Sequence, residues 1–203
     1  MPASGLDVVD WTCVARSLVE DGWVRLEGVV SGRTCGRLVD FAPVTWEPEP
    51  EAVGSVRQRG VSTGLHFDRA ATTVREVGLA IADALTEARP PGTPMVPCFN
   101  EVRWSRSQEG AGHSITAHRD PPLCGGVIAT VTLFGKARFR VWSGADAVEW
   151  ETADGDLVIL RGNGWPTATS RCPVHEAELP AVGDRMIVTY RYNKGGPGAD
   201  YFA

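Results

Sequence analysis

Arg185-Met186-Ile187-Val188-Thr189-Tyr190-Arg191 alternates side chains with a period of two. On an extended strand this puts Met186, Val188 and Tyr190 on one face and Arg185, Ile187, Thr189 and Arg191 on the other. The first face calls for an apolar layer behind it. The second carries two arginines that, once turned inward, need an anion, because an unpaired buried charge costs roughly several kcal/mol. Along a strand the two Cα atoms lie roughly 20 Å apart, so both long side chains must lean toward a shared ligand, and one of them is the main anchor.

The same period recurs upstream over residues 98–106, 114–120, 127–134, 137–142, 148–151 and 156–161, with Gly, Pro or Asp between the runs. Helical spacing precedes it. Residues 10–20 and 31–41 read as short helices around a strand at 23–27, and 68–88 carries Val74, Val77, Ile81 and Leu85 along one stripe. Arg89-Pro-Pro-Gly-Thr-Pro94 ends that helix. Residues 46–62, with Pro48, Pro50 and scattered charge, read as a surface loop, and 47–65 as a lid. Helices first and roughly seven strands after predict an α+β, mainly β fold: a barrel or sandwich backed by N-terminal helices.

The chain has 203 residues, 43% of them hydrophobic and 22% charged, enough for one core. The expected organisation is a single domain over 1–203, with helical support and lid in 1–95 and the core barrel in 96–195. A net charge of -5 gives no global attraction for nucleic acid. Neither a secretory h-region nor a span of about 20 apolar residues is present, so the expectation is a cytoplasmic protein without a membrane partner. Five cysteines, odd in number and without Cys-x-x-Cys, read as reduced thiols.

His118-Arg119-Asp120 lies in the second of these strand runs. On a strand His118 and Asp120 leave the same face while Arg119 points the other way. His175 comes from elsewhere, presented by a turn at Cys172-Pro173. Two imidazoles and one carboxylate suit one face of an iron(II) ion and leave positions open for other ligands. A closed zinc site on Cys172-x-x-His175 lacks a second such pair. His66 and His113 have no partner pattern. Trp46, Trp142 and Trp165 either line a pocket or fill core, and core filling is the commoner role.

Phe99 to Gly110, His113 to Asp120, Gly126 to Gly135 with Phe139, Gly155 to Leu160, His175, and Arg185-x5-Arg191 together resemble, in order, the AlkB-like branch of the iron(II)/2-oxoglutarate-dependent dioxygenases. The resemblance implies a double-stranded β-helix of the jelly-roll or cupin kind. It also implies catalytic iron(II) on His118, Asp120 and His175, with 2-oxoglutarate bound by Arg185 and Arg191. The implied reaction consumes O2 and 2-oxoglutarate, releases succinate and CO2, and oxidises a substrate C–H bond.

Two departures bear on the substrate. The family's Asn-x-Tyr, which contacts the cosubstrate, is here Ser105-Arg106-Ser107, and the acidic residues that repair members carry after His-x-Asp are here Pro121-Pro122. A flipped base needs polar partners, so a small-molecule substrate is the favoured reading. Oxidative demethylation of nucleobases in DNA or RNA is the alternative, and a cupin-like binding module without turnover is a third reading from another class.

Overall fold

Residues 5–53, 55–58, 60–107, 115–178 and 183–196 are described by this computed structural model. Three α-helices lead: α1 (Trp11–Glu20), α2 (Gly32–Asp40) and α3 (Thr72–Ala88). Each starts where its capping chemistry dictates. The Asp10 carboxylate accepts from the N–H groups of Thr12 and Cys13, both at 3.1 Å, and Ser31 Oγ accepts from Thr34 N–H at 3.2 Å. The third helix begins later than its spacing predicts, because Phe67–Arg69 forms a separate 3-10 turn.

The strands are β1 (Trp23–Leu26), β2 (Glu47–Pro48), β3 (Ala52–Val53), β4 (Val56–Arg57), β5 (Val61–His66), β6 (Glu101–Ser107) and β7 (Ile115–His118). They continue with β8 (Cys124–Phe134), β9 (Ala137–Ser143), β10 (Asp146–Thr152), β11 (Leu157–Arg161), β12 (His175–Glu178) and β13 (Arg185–Asn193). A seven-stranded sheet runs β1-β11-β8-β13-β6-β5-β2 and a four-stranded sheet runs β10-β9-β12-β7, with β3–β4 as a separate hairpin. The two main sheets face each other as a double-stranded β-helix, and the helices cover the outer face of the larger sheet.

Alternation along the strands produces two cores. Leu157 and Ile159 of β11, Val127, Ala129 and Val131 of β8, and Met186, Val188 and Tyr190 of β13 pack with the helices. Their neighbours Val158, Leu160 and Ile128 join Phe139, Val141 and Ala177 of the smaller sheet between the sheets. The sequence reading of β13 is therefore right on both faces. Gly78 lets α3 settle onto the sheet, since a Cβ there would stand 2.6 Å from the Phe67 ring and 2.9 Å from that of Tyr190. Gly135 makes the β8–β9 turn at φ +80, and a Cβ there would meet the Asp184 carbonyl at 2.1 Å.

Three expectations need correction. Residues 46–62 are not a plain loop: β2 pairs with β5, and β5 pairs with β6, so this segment extends the larger sheet. Isolated short strands with prolines and charges escape a period-two reading, and pairing makes them strands. The run over 114–120 stops at His118, so Asp120 lies beyond the strand, while Ser114 is outside the described residues. His175 opens a strand, β12, that the period-two runs read from the sequence did not include.

Candidate metal centre and ligand cavity

β7 and β12 pair antiparallel with His118 directly opposite His175, which places the two ring centroids 4.4 Å apart. Asp120 follows in a turn that Asn163 ties down. The Asn163 amide donates to the carbonyls of Asp120 (3.1 Å) and Pro121 (3.0 Å), and its carbonyl accepts from Cys172 N–H at 3.3 Å. Asp120 Oδ2 consequently lies 3.6 Å from His175 Nε2. One ligand atom from each of His118, Asp120 and His175 lies within 4.8 Å of the others, a spacing that one ion can satisfy.

The surroundings fix which atoms face that point. His118 Nδ1 hydrogen-bonds the Thr116 carbonyl at 2.8 Å, and His175 Nδ1 hydrogen-bonds the Pro173 carbonyl at 3.1 Å. Each Nδ1 must carry its proton to do so, leaving both Nε2 lone pairs for a metal. Burial lowers the His175 pKa, against the pull of Asp120, and so favours the neutral ring that a ligand needs. Burial also pushes the Asp120 pKa up, but His175, His118 and Arg191 outweigh it and the net shift is downward. The carboxylate is ionised. The Cys172 thiol, held protonated by burial and by Asp120, approaches Asp120 Oδ2 at 3.4 Å as a donor.

Beside this cluster lies a cavity of about 240 Å³ between the sheets. His118, Asp120 and His175 line it, as do Arg185, Ile187, Thr189 and Arg191 from the inner face of β13. The two arginines differ. Arg191 donates through Nε (2.9 Å) and a terminal nitrogen (2.5 Å) to Glu101 Oε1. Arg185 is buried, its Nε has no hydrogen-bond partner, and burial lowers its pKa to about 10. Among the described residues it makes no ion pair. Ser107 stands opposite Arg185, and Ser105 opposite Ile187, so the Ser-x-Ser pair forms the adjoining wall.

The remaining wall comes from the segment read as a lid. Glu49, Val56, Gln58 and Val61 line the cavity, and Glu49 holds Arg103 of β6 at 2.7 Å. Arg119 also lines the cavity, contrary to its expected outward direction, because the strand ends at His118 and the turn redirects the chain. Cys172, Asn163 and Glu101 escaped the sequence reading as contributors to this site. Cys172-Pro173 before His175 was the visible signal for the first. Glu101 becomes visible only when the β6–β13 register sets it against Arg191.

Other candidates lie elsewhere. His66 sits opposite Glu101 at the end of β5 and is not part of the cavity wall, and His113 is outside the described residues. Trp165 is buried and donates to the Pro94 carbonyl at 3.1 Å, Trp46 packs on the helix-side core, and Trp142 lies under Arg140. No described helix is long and apolar enough to cross a membrane.

No protein-family model matches the sequence, and no curated protein does. Among solved structures, a Pseudomonas putida prolyl-4-hydroxylase aligns with a TM-score of 0.66 at 16% identity, covering 91% of this chain and 98% of that one. An oxidoreductase of the 2OG-Fe(II) oxygenase family from Burkholderia pseudomallei gives 0.67 at 15% identity, covering 96% and 95%. The non-heme α-ketoglutarate-dependent carbocyclase SnoK from nogalamycin biosynthesis gives 0.66 at 14% identity, covering 95% and 87%. At these identities what is shared is the fold alone, and none of the three singles out the AlkB-like branch.

Proposed function

We propose that the protein is an iron(II)- and 2-oxoglutarate-dependent dioxygenase that oxidises a C–H bond of a small molecule and releases succinate and CO2. One observation carries the reading. Two imidazole nitrogens and a carboxylate converge at one end of a cavity whose wall also holds a buried guanidinium that makes no ion pair among the described residues. The donor set suits iron(II), and a dicarboxylate is the ligand that suits both ends at once.

In this reading His118, Asp120 and His175 hold the metal, whose chemistry when bound is to activate O2 against the keto acid and the substrate. Arg185 anchors the far carboxylate of 2-oxoglutarate, with the Ser107 hydroxyl beside it on the facing strand. Arg191, already paired by Glu101, shapes the wall and adds positive potential near Asp120. Ile128, Phe139, Val158 and Leu160 keep the space between the sheets dry. Charge interactions there are stronger than in water.

A small-molecule substrate agrees with the cavity volume of about 240 Å³ and its polar lining by Glu49 and Gln58, and with the two prolines that follow Asp120. Succinate release measured across a metabolite library, and separately with methylated oligonucleotides at low salt, tests the reading. Stimulation by metabolites supports it, and stimulation by oligonucleotides alone moves the assignment to the AlkB-like alternative. A protein that binds iron and 2-oxoglutarate but never forms succinate is a binding module.

A further inference from the structure

Among the described residues, the cavity's charges do not balance on protein groups alone. Five arginines line it, and three have carboxylate partners: Arg103 with Glu49 at 2.7 Å, Arg106 with Asp184 at 2.6 Å and Arg191 with Glu101 at 2.5 Å. Two arginines are left without one among the described residues. Arg185 is buried at the far end, where the proposed cosubstrate carboxylate goes. Arg119 is exposed yet lines the cavity, which puts it at the opening, and in sequence it stands between the metal-ligand candidates His118 and Asp120.

Arg119 has one hydrogen bond among the described residues, from a terminal nitrogen to the Cys172 carbonyl. That bond ties its head to the turn leading into His175. A guanidinium carries five N–H donors, so most of them remain available on a group already held in place. A divalent iron with the Asp120 carboxylate and the near carboxylate of a keto acid sums to zero charge. Such a loaded centre leaves the Arg119 charge uncompensated among the described residues, in a chain whose net charge is -5. A cleft of one sign with low-dielectric walls concentrates counter-charge.

We infer that the substrate is a small organic acid, and that Arg119 binds its anionic group at the cavity mouth beside the metal centre. The inference rests on the dioxygenase reading and deepens it. Arg119 is a specificity-determining residue here: it holds the acid group in place while the apolar side walls from Val56, Val61 and Ile115 receive the rest of the molecule. The chain's net charge of -5 repels a polyanion more than a single carboxylate, which favours a free acid over a polynucleotide phosphate.

The test uses benzoate, a bare carboxylate on an apolar ring, and benzamide, its neutral counterpart. The full-length protein is first loaded with nickel(II), a redox-silent stand-in for iron, and saturating 2-oxoglutarate, and loading is verified by calorimetry. Failure at this stage overturns the dioxygenase reading and this inference with it. Benzoate is then titrated into the loaded protein. A charge-assisted hydrogen bond contributes about 1.5–3 kcal/mol, or roughly ten-fold or more in affinity. Arg119→Gln therefore raises the benzoate Kd by about ten-fold or more, Arg119→Lys raises it less, and benzamide binds wild type more weakly than benzoate by a similar factor. Circular dichroism establishes that the variants are folded, and the Lys variant, which keeps the charge, guards against a local defect. With loading intact, the inference is overturned by any of three results: no benzoate binding to wild type, equal Kd values in wild type and Arg119→Gln, or equal binding of benzamide and benzoate. Preferential binding of a single-stranded oligonucleotide that Arg119→Gln abolishes also overturns it.

Discussion

His118 and His175 occupy the same rung of the smaller sheet, and each ties its Nδ1 to the carbonyl two residues before it, Thr116 for one and Pro173 for the other. The strand pairing sets the distance between the rings, and the carbonyls set which nitrogen is free. Replacing either histidine by alanine removes one of three ligand atoms without touching the β7–β12 ladder. Metal affinity in calorimetry should fall by about 100-fold or more, beyond the range typical of outer-shell changes, while the circular dichroism spectrum stays that of the wild type. Unchanged affinity in both variants would reassign the site.

Arg185 is a site where function and stability oppose each other. Its guanidinium is buried without a counter-charge among the described residues, so Arg185→Met should stabilise the ligand-free protein by about 1–3 kcal/mol. The same variant should lose the stabilisation that 2-oxoglutarate gives wild type, about 2.7 kcal/mol at one hundred times Kd. Thermal unfolding with and without 2-oxoglutarate reads both effects. A variant that still gains wild-type stabilisation from the ligand would show that the anchor lies elsewhere.

Cys172 donates to the carboxylate of the candidate metal cluster. Cys172→Ala removes that donor and should weaken metal binding by about ten-fold, the low end for outer-shell partners. Cys172→Ser keeps a hydroxyl donor and should lie nearer wild type. If both variants bind equally, the thiol is only packing.

Glu101 neutralises Arg191 and also accepts from the Asn193 side-chain amide at 3.3 Å. Both members of the pair are largely buried, with side-chain exposures of 11% for Arg191 and 6% for Glu101. Glu101→Gln keeps the shape but removes the charge that Arg191 is paired with, and breaking a buried pair typically costs about 3–5 kcal/mol. Denaturant unfolding should show that loss, and a change under about 1 kcal/mol would mean that water already screens the pair.

The strand period, the helix stripes and the two faces of β13 were readable in the sequence because each is a local pattern imposed by burial on one side. His118, Asp120, His175 and Arg185 were readable because their chemistry is unusual at that spacing. What escaped depends on contacts between distant segments. Glu101 meets Arg191 only through strand register, and Asn163 meets Asp120 only through a turn packed against another turn. The strands β2, β3 and β4 are two residues long, too short for any period to emerge, and β5, with Gly64 inside it, shows no clean alternation of apolar and polar residues. Arg119 reversed its expected direction because the strand ended two residues early.

The most direct measurement is an anaerobic titration of the protein with iron(II) and 2-oxoglutarate, followed by absorbance. A keto acid chelating iron on this ligand set gives a charge-transfer band at roughly 500 nm. The account predicts that band in wild type, saturating at one equivalent of each component, and its loss in His175→Ala and in Asp120→Ala. No band in wild type, or a band that survives both substitutions, would contradict it.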